Sequence, residues 1–499
     1  MLEILVNIIL VIYGFAILFV VIHSLFDAHL IYHYLHSFRK KQPIFYSQDF
    51  KPFVTIQLPV YNELYVVERL IDAVANLDYP KEKMEIQVLD DSTDETVDVI
   101  AKKIARLKLE GINIYHIHRT NREGFKAGAL KNGLSLAKGE FFAIFDADFL
   151  PAKNFLQKTI FYFYDSSVGM VQTKWGHINK QSSLLANLQA IALDGHFSIE
   201  QRGRNDAGYF INFNGTAGVW RKKTILDAGN WQADTLTEDF DLSYRAQMKG
   251  WKFKYLEDVI TFGELPPAVS ALKSQQFRWT KGGTETAKKH LSTLLSSNLP
   301  FPVKGHGVFH LIYSFGFISI LACIILTVPI IFIKEYYPQY NIFFKLTSLL
   351  KISFLIYIIH YFISYFNNTA GNFFKKFFSF IIYFPLFVSL FIGLSLSNAY
   401  GILQGYFGIK SSFIRTPKFN SINGQHTKKF NKYLQTKLNW VIVTEGLLIF
   451  YFLFGLSLSL YLKKYGNVPL LLMAFIGFSM VFWWSLFEVK YKYISQQTA

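Results

Sequence analysis

Apolar runs of membrane length stand at both ends of this chain and not in its middle. Residues 2–22, LEILVNIILVIYGFAILFVVI, are almost wholly apolar, and the apolar-aromatic texture continues to Leu35. Further runs lie at about 307–333, 346–366, 377–398, 438–462 and 468–487. A helix needs roughly 20 apolar residues to cross a bilayer core. Such segments must close their own backbone hydrogen bonds, so they are committed to helix. The first run has no basic n-region and no small-residue cleavage site, which makes it an anchor rather than a signal peptide. The expected organisation is a transmembrane helix at 1–38, a water-facing unit at 39–295 and a membrane bundle at 296–499.

The formal net charge of +16 fits this reading better than a nucleic-acid partner, because Lys and Arg crowd the segments beside the apolar runs. Arg39, Lys40 and Lys41 place the 39–295 unit in the cytosol. Residues 408–437 carry seven Lys or Arg and no acidic residue, so they belong there too. Three apolar runs lie between those two cytosolic parts, where the number of crossings must be even. The run at 377–398 has Lys375 and Lys376 at its start, Pro385 inside and Asn398 at its end. It is read, with 399–407, as an interfacial or re-entrant element, leaving five crossings; the alternative is one long run holding two short passes. The single cysteine, Cys323, sits in an apolar run and rules out a disulfide framework within the chain.

From Lys51 the texture becomes α/β. FVTIQL (53–58), MEIQVLD (84–90), INIYHI (112–117) and FFAIFD (141–146) alternate with helix-like stretches at 64–77, 94–110 and 125–137. Such alternation predicts a parallel sheet covered by helices, with ligands at the carboxyl ends of its strands. Pro59 to Glu63, Asp90-Asp91 and Asp146-Ala147-Asp148 all fall at those ends.

These positions carry chemistry. Asp146 and Asp148 can share a divalent cation and a ribose or phosphate, and Mg²⁺ or Mn²⁺ suits hard oxygen ligands while leaving room for a diphosphate. Asp90 and Asp91 offer paired acceptors to a base edge and a ribose hydroxyl, whereas Thr93 and Asp94 suffice to cap the next helix. Lys126, in REGFKAGAL (122–130), stands near a helix start, where phosphate binds. Thr237-Glu238-Asp239 reads either as a helix cap or as a general base for a sugar hydroxyl, with Glu238 and Asp239 the candidate catalytic carboxylates. In QQFRW (275–279), Arg278 can neutralise a leaving diphosphate, Trp279 offers a face to a sugar ring and Gln275 a hydrogen bond; the plainer reading is a membrane-interface anchor.

Order and spacing together resemble processive family-2 glycosyltransferases: cellulose synthases, and more closely the plant cellulose synthase-like A and C groups and their bacterial relatives. The resemblance runs from Val54 to Gly283 through QLPVYNE (57–63), QVLDDSTDET (87–96), GFKAGAL (124–130), AIFDADF (143–149), HFSIEQ (196–201), INFNGTAGVWR (211–221), TEDFDLSYRA (237–246), GWKFKYLEDV (250–259), ELP (264–266) and QQFRW (275–279). It implies a cytosolic GT-A-type, Rossmann-like α/β domain inserted between transmembrane helices. It implies that Asp91, with Asp90, binds nucleotide, that Asp146 and Asp148 bind metal and diphosphate, that Asp239 is the base, and that Gln275, Arg278 and Trp279 meet acceptor and diphosphate. SSFIRTPKF (411–419) is similar to the mobile loop that closes over substrate in cellulose synthases, through Phe413, Thr416 and Lys418, with Arg415 where that pattern usually has Val. The implied reaction is inverting, metal-dependent transfer from UDP-glucose or GDP-mannose to build and translocate a β-linked, 4-linked polysaccharide. Transfer of a single hexose to a lipid, as in ceramide glucosyltransferases, is the alternative. The expected location is the inner membrane in a bacterium or the Golgi in a eukaryote.

Overall fold

A computed structural model of the chain describes residues 1–37, 50–411, 415–420, 432–434 and 437–497. Its water-facing unit is built on seven strands: β1 (Val54–Val60), β2 (Met84–Asp90), β3 (Ile114–His118), β4 (Phe141–Ile144), β5 (Val168–His177), β6 (Gly218–Arg221) and β7 (Lys252–Gly263). They lie in the order β3-β2-β1-β4-β6-β5-β7. β1 is parallel to β2 and β4, and β2 to β3. The four strands expected from the sequence are thus parallel, and beyond β4 the sheet becomes mixed. β6 runs antiparallel to both β4 and β5, and β5 is then parallel to β7. The reason is local: β6 follows β5 in the chain but inserts between β4 and β5, with GVWR too short to announce itself by periodicity.

The strands are buried on both faces, as a helix-covered sheet requires. Alternation along β4 shows it: Phe141 and Ala143 join the cluster of Ile56, Leu70 and Ile100, whereas Phe142 and Ile144 join that of Leu130, Trp220 and Leu242. Helices Val67–Ala75 and Thr96–Leu109 cover the first face, and Phe125–Leu136 packs on the second. The crossovers therefore deliver three loops, 61–66, 91–95 and 145–154, to one edge of the sheet.

Among the described residues, six helical stretches are long and apolar enough to cross a membrane: Leu2–Ser37, Phe301–Tyr336, Pro338–Asn368, Phe373–Phe407, Trp440–Tyr461 and Tyr465–Lys490. One end of this bundle is marked by the Tyr340 hydroxyl donating to Asn7 (2.6 Å) and by Lys464 pairing with Glu335. The other end meets the α/β unit. Lys174 donates to Asn368 (2.6 Å), Lys273 to Glu445 (2.7 Å), and the Glu488 carboxylate accepts from Val269 N and Ser270 N (2.6 and 3.1 Å), capping the helix Val269–Ser296.

Phe373–Phe407 is one unbroken helix with Pro385 inside it. Both of its ends lie on the side of the α/β unit. Lys376 near its start donates to Phe366 O, two residues before Asn368, and Lys281 and Lys288 donate to Gln404 and Tyr406 O near its finish (3.4 and 3.1 Å). Its middle approaches the helix Val468–Gln497 backbone to backbone, since a Cβ on Gly393 would stand 2.3 Å from Gly477 O.

Candidate active site

The three strand-end loops, the start of helix Glu238–Met248, the helix Val269–Ser296 and the segment 415–420 close around one cavity. Its wall includes Asp91, Lys126, Asp146, Asp148, Glu238, Asp239, Gln275, Arg278, Trp279, Arg415, Thr416 and Lys418. Residues far apart in sequence, nominated one by one, thus share a single hollow. Phe413 lies outside the described residues.

Asp90 is not on that wall. Its carboxylate is fully buried at the end of β2 and accepts from His116 Nε2 (2.8 Å) and Ser92 N (2.9 Å). Burial would raise its pKa, but those hydrogen bonds outweigh it and hold the group below the usual carboxylate range. Asp90 therefore braces the loop rather than facing a ligand. Asp91 does face the cavity, gripped through both oxygens by Arg119 Nε and Nη2 (2.7 and 2.6 Å). Beside it the Arg122 guanidinium lies 3.3 Å from the Tyr61 ring centroid, a close cation–π contact.

Asp146 and Asp148 differ more than their spacing suggests. Asp146 is partly exposed and receives Lys126 Nζ at 2.6 Å; the same ammonium donates to Gly215 O (2.8 Å). Burial would lower the Lys126 pKa, yet Asp146 and Glu238 outweigh it and raise it, so the ammonium stays protonated. Gly215 has φ +78°, and a Cβ there would stand 3.0 Å from Asp239 Oδ2 and 3.3 Å from Lys126 Nζ, so only glycine fits between the two. Asp148 is 2 % exposed. Its Oδ2 is 2.8 Å from Lys418 Nζ, while its Oδ1 is buried without a hydrogen-bond partner among the described residues.

That orphaned oxygen fits a hard divalent cation. No group of three or more His, Cys, Asp or Glu stands ready as a closed metal cage among the described residues. Mg²⁺ and Mn²⁺ chemistry does not require one: such a cation takes one or two carboxylates and completes its shell with phosphate and water.

At the far side, Glu238 and Asp239 open the helix Glu238–Met248. Thr237 stands at the N-cap position but makes no side-chain cap hydrogen bond, so it is not the cap that the motif reading expected. Asp239 Oδ1 accepts from Phe240 N (2.8 Å). Burial, and next the Glu238 carboxylate, push the Asp239 carboxyl up to about 7, while Lys126 pulls the other way. Two residues on, Asp241 meets the opposite fate. It is fully buried, yet Arg245 (2.7 Å), His290 (2.7 Å) and Lys289 (2.8 Å) hold it well below the usual carboxylate range and tie this helix to Val269–Ser296. Neighbouring carboxyls with pKa values driven apart mark division of labour. Arg278 Nη2 donates to Thr416 Oγ1 (2.7 Å), so the QQFRW motif is linked to the 415–420 segment.

Several wall residues were given no role from the sequence. Glu63 forms an ion pair with Arg415 Nη1 (2.7 Å), and burial pushes its carboxyl up to about 7. Glu264 accepts from Arg69 (3.0 Å) and from Phe419 N (2.8 Å). Trp175 and His177 reach the cavity from the end of β5. Glu63 ends the QLPVYNE stretch and Glu264 begins ELP, which was the available signal; Trp175 had none, because β5 was not recognised as a strand.

The family described as "Glycosyltransferase like family 2" matches residues 52–282, the stretch that forms the sheet and most of the cavity wall. These residues are a family-2 glycosyltransferase domain. The Oryza sativa subsp. japonica protein named probable glucomannan 4-beta-mannosyltransferase 11 is 41% identical over 276 residues, 54% of this chain and 48% of that protein. Glucomannan 4-beta-mannosyltransferase 7 of Arabidopsis thaliana is 35% identical over 337 residues, 62% of this chain and 60% of that one. The chain thus spans about half the length of the curated relatives it matches. Among solved structures, mannosyltransferase PcManGT from Pyrobaculum calidifontis, in complex with GDP-Man and Mn²⁺, superposes with a TM-score of 0.51 at 19% identity, over 70% of this chain and 98% of that one. The likeness places the sheet among GT-A-like folds.

Proposed function

We propose that this glycosyltransferase domain transfers a hexose, with inversion, from a nucleoside-diphosphate sugar to a 4-hydroxyl of a β-linked glycan, with GDP-mannose as the donor. The observation that carries the reading is the convergence of Asp148, Arg278 and the raised Asp239 carboxyl on one cavity. The relatives named as glucomannan 4-beta-mannosyltransferases support the product class, and the GDP-Man bound to PcManGT supports the donor.

The acceptor oxygen attacks the anomeric carbon while its proton passes to Asp239, which is a sufficient base only near and above neutral pH. The bond from that carbon to the diphosphate breaks, and Arg278 offsets the charge that appears on the departing oxygen. A divalent cation held by Asp148 and Asp146 would supply Lewis-acid neutralisation of the same diphosphate. Gln275 and Trp279 hold the acceptor ring, and Asp91 and Lys126 face the donor.

Passage of the product through the bundle is part of the same proposal. A small hollow lies between the first helix and the helix Phe301–Ile312, where His23, Asp27, Arg204, His306 and His310 meet Phe26, Leu30 and Phe309. Ionisable side chains among membrane helices are costly and mark pathways. Since both ends of Phe373–Phe407 face the α/β unit, that helix is read as interfacial, which makes five crossings and keeps 408–437 with the domain.

Membranes containing the protein, incubated with labelled GDP-mannose or UDP-glucose, test the reading. A ladder of β-1,4-mannan from GDP-mannose is expected; a single-sugar lipid, or incorporation from UDP-glucose alone, would overturn it. For the topology, Lys437→Cys in a Cys323→Ser background should react with an impermeant thiol reagent only after the membrane is opened.

A further inference from the structure

Residues 415–420 do more than border the cavity. Arg415 faces Glu63, Thr416 holds Arg278, Lys418 holds Asp148, Phe419 N donates to Glu264, and Asn420 accepts from Arg69 (2.7 Å). A six-residue strap thus occupies two of the groups that a metal-bound diphosphate would need, Arg278 and Asp148. The contact at Asp148 is the decisive one. The carboxylate is 2 % exposed, with the ammonium of Lys418 2.8 Å from one oxygen and the other oxygen unspent. A buried carboxylate with no partner is strongly disfavoured. An ammonium relieves that penalty, but with one charge and no capacity to share both oxygens with a phosphate.

We propose that Lys418 is a built-in stand-in for the divalent cation: it sits on Asp148 while the site is empty and is exchanged for the cation when the nucleotide sugar enters. The inference rests on Asp148 as the metal ligand. Its consequence is a binding order. Cation alone must displace the Lys418 ammonium from the buried Asp148 carboxylate, so it binds weakly. Cation with a nucleoside diphosphate binds well, because the incoming phosphates give the displaced ammonium a new partner. The protein is thereby kept from loading metal before donor, since a site competent only part of the time shows a proportionately weaker apparent affinity.

The test is a Mn²⁺ titration of the purified protein in detergent, followed by the electron-paramagnetic-resonance signal of free Mn²⁺, with and without GDP. Without GDP, Lys418→Met should bind Mn²⁺ about tenfold or more tightly than the unmutated protein, whereas Lys418→Arg, which keeps the charge, should not. Adding Asp148→Ala to Lys418→Met should abolish the gain. With GDP present the gain disappears, Lys418→Met binding the cation no better than the parent. If the parent binds Mn²⁺ with GDP but Lys418→Met shows no gain without it, the exchange is wrong and the metal assignment survives. If Mn²⁺ binds none of these proteins in either condition, both are overturned. Melting temperatures of the variants guard against loss of fold.

Discussion

Asp90-Asp91 and Asp146-Ala147-Asp148 are both acidic motifs just beyond parallel strands of one sheet, and the structure treats them in opposite ways. The first is finished. Asp90 is satisfied by His116 and Ser92, and Asp91, although it borders the cavity, is held through both oxygens by Arg119. The second is left open. Asp146 keeps partial exposure, and Asp148 has a buried oxygen with no partner among the described residues. A carboxylate whose acceptors are filled by its own fold stabilises a loop; one left under-coordinated in a cavity is available to a ligand. The same contrast recurs across the cavity, where Asp241 is locked in ion pairs and Asp239 is not.

The largest expected effect tests the open class at its reactive member. Asp239→Asn should lower turnover by about 10²–10⁴ while nucleotide-sugar binding, read by calorimetry, is retained. Near-normal turnover in the folded variant would remove Asp239 from the base role. Asp148→Ala comes next: Mn²⁺-dependent binding of the donor should weaken by about tenfold or more, and EDTA should abolish activity of the parent. Full activity in excess chelator would break the distinction between the two motifs.

The pH profile is a gentler probe. Because the Asp239 carboxyl is raised, it is protonated and inactive as a base below about 7. kcat/KM should then fall about tenfold per pH unit on the acid side. An acid limb near the ordinary range of about 4 would place Asp239 with the closed, ion-paired group instead. The smallest effect belongs to the finished motif. Asp90→Ala strips partners from His116 and Ser92 N and should cost about 1–3 kcal/mol, seen as a lower melting temperature, with little change in donor KM. A large rise in KM at unchanged stability would show Asp90 to be a ligand contact after all.

How far this was legible in the sequence varies with range. The four strands β1 to β4 and their three helices were visible because each is a continuous segment with its own periodicity. β5, β6 and β7 were not, and neither was the antiparallel insertion of β6, because strand order is a matter of non-local pairing. The candidate site residues were nominated by motif, and all of those described except Asp90 reach the one cavity. Lys126 lines it too, its ammonium donating to Asp146 and Gly215 O, contacts that the motif did not announce.

What the sequence determined by itself was therefore the division into membrane helices and an α/β domain, the family of that domain, and the identity of its acidic groups. Periodicity, hydropathy and short motifs are properties of neighbouring residues, and neighbours are what a sequence lists. The tertiary structure alone decided which carboxylates were spent and which were left over. Asp90 and Asp148 look alike in one dimension, but His116 comes from another strand and Lys418 from beyond the first apolar runs of the bundle. The charge state and availability of a buried carboxylate depend on what is packed within a few ångströms of it, and that is set only when the chain has closed on itself.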